Sequence, residues 1–439
     1  MDTLRVIEAG SAGYDSAVAE LIALLRSGGL VDVAQQQQTL DVPAIVADII
    51  ARVRSEGDRA AAELTSKLDR AQIAPHAIAV PESEIARAHR AADPEFLALM
   101  RRAIANIREY QEHIRHRDPA PLQRGGRSLG VRYTPIERVG VYVPGGRALY
   151  PSTVLMTVVP AQVAGVREIA IATPPSGGRV SDMALALAGE LGVREVLQLG
   201  GAVAIAALAC GTQSIRAVQK VVGPGNAFVA EAKRQLFGHV GIDSVAGPSE
   251  VVIVADDSAE PAWVAADMLA QAEHDPGSAV LLTPSAALAR AVGTQVELQL
   301  QGLSRAEAAR SSLQRYGAIV VTESLPAACA LANELAAEHL QIITRDDAAC
   351  LLQIRNAGAV FLGPHTPVPL GDYFAGPSHV LPTGGTAKFF GPLSANDFLK
   401  ASSLLSYDAA ALAQDSAGVQ DFAEREGLTA HAAAVRIRG

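Results

Sequence analysis

Cysteine, aromatic side chains and runs of positive charge are all scarce in this chain. Three cysteines stand among 439 residues, Cys210, Cys329 and Cys350, with no C-x-x-C pair. That excludes a disulfide-stapled scaffold and a thiolate zinc site. Their Ala- and Leu-rich surroundings read as core, so reduced thiols of a cytoplasmic protein are expected. With one Trp and 4% aromatic residues, the core falls to Ala, Val, Leu and Ile. Lys and Arg total 37 against 46 Asp and Glu, a net charge of −9. No basic run is long enough to form a nucleic-acid stripe, and the short RHRD at 115–118 reads as a solvated helix face. Glu20 breaks the first apolar segment, and Pro160 and Gln162 interrupt the longest later ones. Neither a signal peptide nor a membrane span is expected.

What is present is apolar and regular. The composition is 49% hydrophobic and 19% charged, enough for a large core in two to four domains. Helical periodicity marks 14–26, a long amphipathic stretch at 43–69 and another at about 94–114, with a short strand possible at 78–80. From 139 the pattern alternates. Strand-like runs at 141–143, 168–172, 195–199 and 218–222 are separated by helical stretches, and a second series follows at 250–255, 279–282, 318–321, 341–343 and 359–362. Such alternation predicts βαβ units and parallel sheets. The expected fold is α/β, with two doubly wound Rossmann-like domains, a helical N-terminal segment (1–38) and a C-terminal helical arm (394–439). One domain spans 139–250, and the other is discontinuous, 39–138 with 251–393.

Several segments carry chemistry. In QAEHDPG, Gln271 and His274 are three apart, which on a helix sets both on one face, and Asp275-Pro276-Gly277 ends the helix beside them. Three Gly-rich turns, VPGG (143–146), GGA (200–202) and GPGN (223–226), each follow a strand and precede a helix. Amides there can hold phosphates, although none is a G-x-G-x-x-G fingerprint and each also serves as plain turn geometry. GPSE at 247–250 puts Ser249 at a turn tip without a nucleophile elbow. Glu338-His339 joins two proton acceptors at a helix end, and the loop 371–385 carries Asp372 and His379. EGLTAH places Glu426 and His431 near the chain end. Together Gln271, His274, Asp372 and His431 offer N and O donors without thiolates, a set suited to a hydrated catalytic zinc or manganese.

The stretches VGVYVPGG-x-A-x-YPSTVLM, GGA-x-AIAALA-x-GT, GPGNAFV-x-EAKR, GID-x-x-AGPSE, DMLAQAEHDP, AAEHL, GDYFAGPSHVLPTGGTAKF and EGLTAH resemble the histidinol dehydrogenase family, in order, from about residue 40 onward. The resemblance implies oxidation of L-histidinol to L-histidine through the aldehyde, the last step of histidine biosynthesis, with two NAD reduced and one zinc per active site. Carried over, the zinc ligands are Gln271, His274, Asp372 and His431. His339 is the base on the substrate hydroxyl, and Glu338 helps activate the water that hydrates the aldehyde. Ser249, Glu426 and His379 match substrate contacts, and the ligands and His339 face the same substrate. Tyr142 and Asn226 match NAD contacts, as does Val203, where the family usually has Gln. The family has an aromatic at Cys210 and often Asn at Ser378. The family's arm crosses to a second subunit, implying a homodimer with shared sites acting on a small amino alcohol, without nucleic acid or membrane partners. The alternatives are a same-fold NAD-dependent dehydrogenase for another small polar alcohol and a catalytically silent binding protein.

Overall fold

The computed structural model describes residues 3–26, 40–145, 150–274 and 276–438. In chain order its strands are β1 (Arg5–Glu8), β2 (Leu122–Arg124), β3 (Arg127–Pro135), β4 (Arg138–Tyr142), β5 (Glu168–Ala172), β6 (Glu195–Leu197) and β7 (Lys220–Val222). There follow β8 (Gly241–Ile242), β9 (Ser249–Ala255), β10 (Gly277–Thr283), β11 (Ala318–Val321), β12 (His339–Ile343), β13 (Ala359–Leu362) and β14 (Leu399–Tyr407). Two parallel sheets dominate, one of order β6-β5-β4-β7-β8 and one of order β1-β11-β10-β9-β12-β13. The third sheet, β14-β3-β2, is antiparallel.

Both parallel sheets are covered on both faces, which is why their central strands read as unbroken apolar runs. Alternate residues feed different cores. Val139 and Val141 of β4 enter one apolar layer and Tyr142 the other. Val251 and Ile253 of β9 face one layer, and Val252 and Val254 the opposite one. Among the described residues no helix is long and apolar enough to cross a membrane.

The parallel α/β character matches the sequence reading, and several local expectations do not hold. The stretch at 43–69 is two helices, Val42–Glu56 and Asp58–Leu68. They break at Gly57, whose φ of +59° disfavours side chains and whose missing Cβ leaves room for Gln213. These helices, with Glu82–Ala91 and Pro94–Ile114, pack against the five-stranded sheet, so residues 40–114 belong with 139–250 rather than with 251–393. The N-terminal segment is not only helical, since β1 pairs with β11 at the edge of the larger sheet. Its 27–38 part lies outside the described residues. At 78–80 only a single bridge forms, Ala79 to Leu197. RHRD is no helix face. Its helix ends at Ile114, and beyond it Arg115 donates to the Val163 carbonyl, the His116 amide to Asn396 Oδ1, and the Tyr133 amide to Asp118. The arm is not purely helical either, since β14 pairs with β3 over nine residues before helices Ala409–Arg425 and Thr429–Arg436.

One buried ion pair locks the turn that follows β7. Lys233, 1% exposed, reaches from helix Ala227–Leu236 to Asp243 Oδ1 at 2.6 Å and to the Gly223 carbonyl. Asp243 Oδ2 accepts the Gly223 amide at 2.7 Å. Gly223 is itself obligatory, because φ is +114° and a Cβ would fall 2.1 Å from the Tyr142 carbonyl oxygen. Removing one partner of such a pair strands the other charge. Asp243→Ala should therefore cost about 3–5 kcal/mol of stability in urea unfolding, and a loss below about 1 kcal/mol would contradict this account of the turn.

Candidate active site

Strand ends of the two parallel sheets line a cleft of about 430 Å³. The five-stranded sheet offers its C-terminal edge, where β4 ends at Tyr142 and β7 leads into Pro224-Gly225-Asn226. Its strand order reverses at β4, so this is the switch-point crevice usual for ligands in open α/β sheets. The six-stranded sheet presents the opposite end. Ser249 and His339 are the first residues of β9 and β12. The loop after helix Val368–Tyr373 closes the third side with His379 and Thr383.

At the centre stand Glu338 and His339, both buried. His339 Nδ1 lies 2.9 Å from the Glu250 carbonyl oxygen. A carbonyl only accepts, so Nδ1 carries the hydrogen and the neutral ring keeps its lone pair on Nε2. Nε2 has no hydrogen-bond partner and sits 3.5 Å from Asp372 Oδ1. Glu338 Oε2 accepts from the Ser249 hydroxyl at 2.5 Å and the Glu250 amide at 2.9 Å, and lies 3.5 Å from His339 Nδ1. Loss of hydration pushes the Glu338 carboxyl up, against the pull of His339 and these two donors. For His339 burial acts downward, but the carboxylates of Glu338 and Asp372 outweigh it and raise the imidazole to about 9. The pair titrates as a unit.

The strand start, rather than the helix end expected from AAEHL, holds this pair, because helix Leu325–Leu335 stops at Ala336 with φ of +50°. His274 likewise stands beyond its helix, which ends at Ala272, in a turn where its amide donates to the Gln271 carbonyl. Gln271 is buried with its Nε2 unpartnered. His274 keeps an open edge, yet protein packing lowers its pKa, and burial lowers that of His379. Both rings are held neutral, the form that binds metals.

The cleft brings together Tyr142, Asn226, Ser249, His274, Glu338, His339, Asp372 and His379. It does not bring in Val203, which is 1% exposed within an apolar core, and the Gln–NAD comparison made for that position finds no cleft to act on. Glu426 and His431 lie exposed on the arm. Among the described residues no three His, Cys, Asp or Glu side chains are grouped to hold a metal. By chemistry an amide oxygen, an imidazole and a carboxylate from Gln271, His274 and Asp372 suit part of a zinc shell, although Gln271 does not line the cleft and its unpartnered atom is the donor Nε2 rather than the oxygen a metal would take.

The Gly-rich turns are less free than their sequence implies. Tyr142 Oη accepts the Gly201 amide at 3.1 Å, and burial pushes its own pKa to about 12. Asn226 Oδ1 caps the amides of Phe228 and Val229. Gly146 lies outside the described residues. Sequence reading missed Tyr150, Ser152, Thr153, Tyr373 and Thr383 in the lining, although YPS after the first Gly turn and DYF at the start of the 371–385 loop adjoin motifs it did single out.

If Glu338 is the main support of the His339 charge, Glu338→Gln in metal-free protein should move the imidazole titration, followed by NMR, from about 9 down toward the ordinary His range near 6.5. An unmoved titration would show that Asp372 alone sets it.

Comparison with known proteins agrees with this arrangement. A family model described as histidinol dehydrogenase matches residues 33–439. The histidinol dehydrogenase of Geobacillus kaustophilus is 50% identical over 436 residues, covering 99% of this chain and 96% of that protein. That of Bacillus subtilis is 48% identical over 361 residues, 82% of this chain and 84% of that protein. The crystal structure of the Elizabethkingia anophelis histidinol dehydrogenase superposes with a TM-score of 0.91 at 32% identity, covering 99% of this chain and 98% of that one. Sequence, fold and cleft agree, and the chain belongs to the histidinol dehydrogenase family.

Proposed function

We propose that this protein oxidises L-histidinol to L-histidine through the aldehyde, reducing two NAD, as the closing step of histidine biosynthesis in the cytoplasm. The observation that carries the reading is His339 Nε2, a buried ring nitrogen without a hydrogen-bond partner beside a cleft able to hold a small polar alcohol. With the imidazole raised to about 9, the ring serves as a base once Nε2 has given up its proton.

When bound, zinc would supply a Lewis acid and NAD the hydride acceptor. Gln271, His274 and Asp372 would hold the metal, with His431 as the fourth donor. His339 takes the hydroxyl proton at Nε2 in the alcohol step, while the Glu250 carbonyl keeps Nδ1 protonated and the ring in register. Glu338, held by Ser249 and the Glu250 amide, serves the aldehyde step by accepting a proton from the attacking water. Ser249 and His379 line the substrate end of the cleft, and Tyr142 and Asn226 the end where the nicotinamide binds. Keeping both oxidations in one cleft retains a reactive amino aldehyde between steps.

His431 and Glu426 are exposed on the arm, and neither lines this chain's cleft. The arm also exposes Leu404, Leu405, Phe422 and Ile437, a surface suited to a homodimer in which each arm completes the partner's site.

Purified protein with L-histidinol should yield two NADH per histidine with no free aldehyde, lose activity on chelation and regain it with zinc. A ratio of one, or turnover only of another alcohol, would sink this reading.

A further inference from the structure

Glu250 uses three groups at once, and none of them lines the cleft. Its amide donates to Glu338 Oε2 at 2.9 Å and its carbonyl accepts His339 Nδ1–H at 2.9 Å. Its side chain leaves the opposite face of β9 from Ser249, is 4% exposed, and accepts the Gly384 amide on Oε1 at 2.8 Å. Gly384 and Gly385, with φ of +61° and +79°, turn the chain at the end of the loop that presents His379, Leu381 and Thr383 to the cleft. Next to this contact Thr383 Oγ1 accepts the Gly247 amide. At its other end the loop is tied to the five-stranded half, where Ser378 Oγ donates to the Met156 carbonyl at 3.1 Å. The loop thus spans both sheets, and the Gly384 contact is its anchor on the catalytic strand.

We propose that Glu250 is a positioning residue that fixes the substrate-facing loop 378–384 in register with the Glu338–His339 pair. The inference rests on the reading of the cleft as the site of alcohol oxidation. It requires an acceptor oxygen at Glu250 and no charge. Glu338 and His339 face the carboxyl from the start of β12, Tyr316 and Ser278 share its apolar surroundings with Leu25, and the loop brings only a backbone amide. Nearby Arg26 is engaged by Glu334. Burial, with Glu338 adding to it, raises this carboxyl from 4.5 to about 8, so it is protonated at neutral pH and an amide can replace it.

The experiment compares Glu250→Ala, Glu250→Gln and Glu250→Asp in the zinc-loaded enzyme. For the Ala variant we expect KM for L-histidinol to rise about tenfold, the order expected when a buried donor loses its acceptor, with kcat changed far less. Hydrogen exchange at loop 378–384 should speed up in parallel. Glu250→Gln restores both. Glu250→Asp, one methylene short but still a carboxylic acid, gives a smaller shift of the same kind and serves if the Ala variant does not fold. Because the folded carboxyl titrates above its unfolded value, wild-type stability falls as pH rises from about 4.5 toward about 8. The Tm advantage of Glu250→Gln over wild type should therefore widen across that window. Unchanged KM and loop exchange in Ala and Asp, or a Gln variant as impaired as Ala, overturns the proposal. Loop exchange and Tm need no turnover, so an inactive wild type would defeat the functional reading without touching them.

Discussion

The buried carboxyl–imidazole pair at the head of β12 is the constraint around which the rest is arranged. A carboxyl and an imidazole removed from water are costly unless hydrogen bonds replace the lost hydration. Here the backbone of β9 does that work. One residue, Glu250, donates to Glu338 and accepts from His339, and Ser249 adds a hydroxyl. Strand pairing supplies the precision, because β12 and β9 run parallel with His339 opposite Val251. What the strands cannot satisfy is His339 Nε2, which remains for chemistry.

The two sheets contribute opposite ends to this place. The smaller one gives the C-terminal edge at its switch point, the usual site for a nucleotide, and the larger one gives strand starts. On the proposed function, that polarity lets an acceptor of protons and an acceptor of hydride approach one small molecule from two sides. The loop 371–385 then bridges both bodies, with Asp372, His379 and the Gly384 turn each at a separate task.

Much of this was legible in the sequence. The parallel α/β character followed from apolar runs of strand length between helical stretches, and the long motifs located eight cleft residues. Other features were hidden for physical reasons. LKASSLLSY in β14 is exposed on nearly every residue, so no alternation betrays it as a strand. Helices 42–114 carry apolar faces that say nothing about which sheet they cover. Val203 follows a Gly-rich turn, as a nucleotide contact would, yet its side chain is directed into the core. Glu250 looks like one more acid after a turn, and only the fold reveals its distance from solvent and its contact with Gly384.

Of the four proposed metal ligands, Gln271, His274 and Asp372 belong to the body of the chain, while His431 stands exposed on an arm with apolar side chains outward. On the proposed function, a second copy supplies the His431 donor. The direct measurement is complementation between two inactive variants, His431→Ala and His339→Ala, mixed so that subunits exchange. A heterodimer then holds one cleft with an intact His339 and the partner's intact His431, so an equimolar mixture should recover about a quarter of wild-type activity if exchange is random. Heterodimers that form and stay inactive would contradict the account.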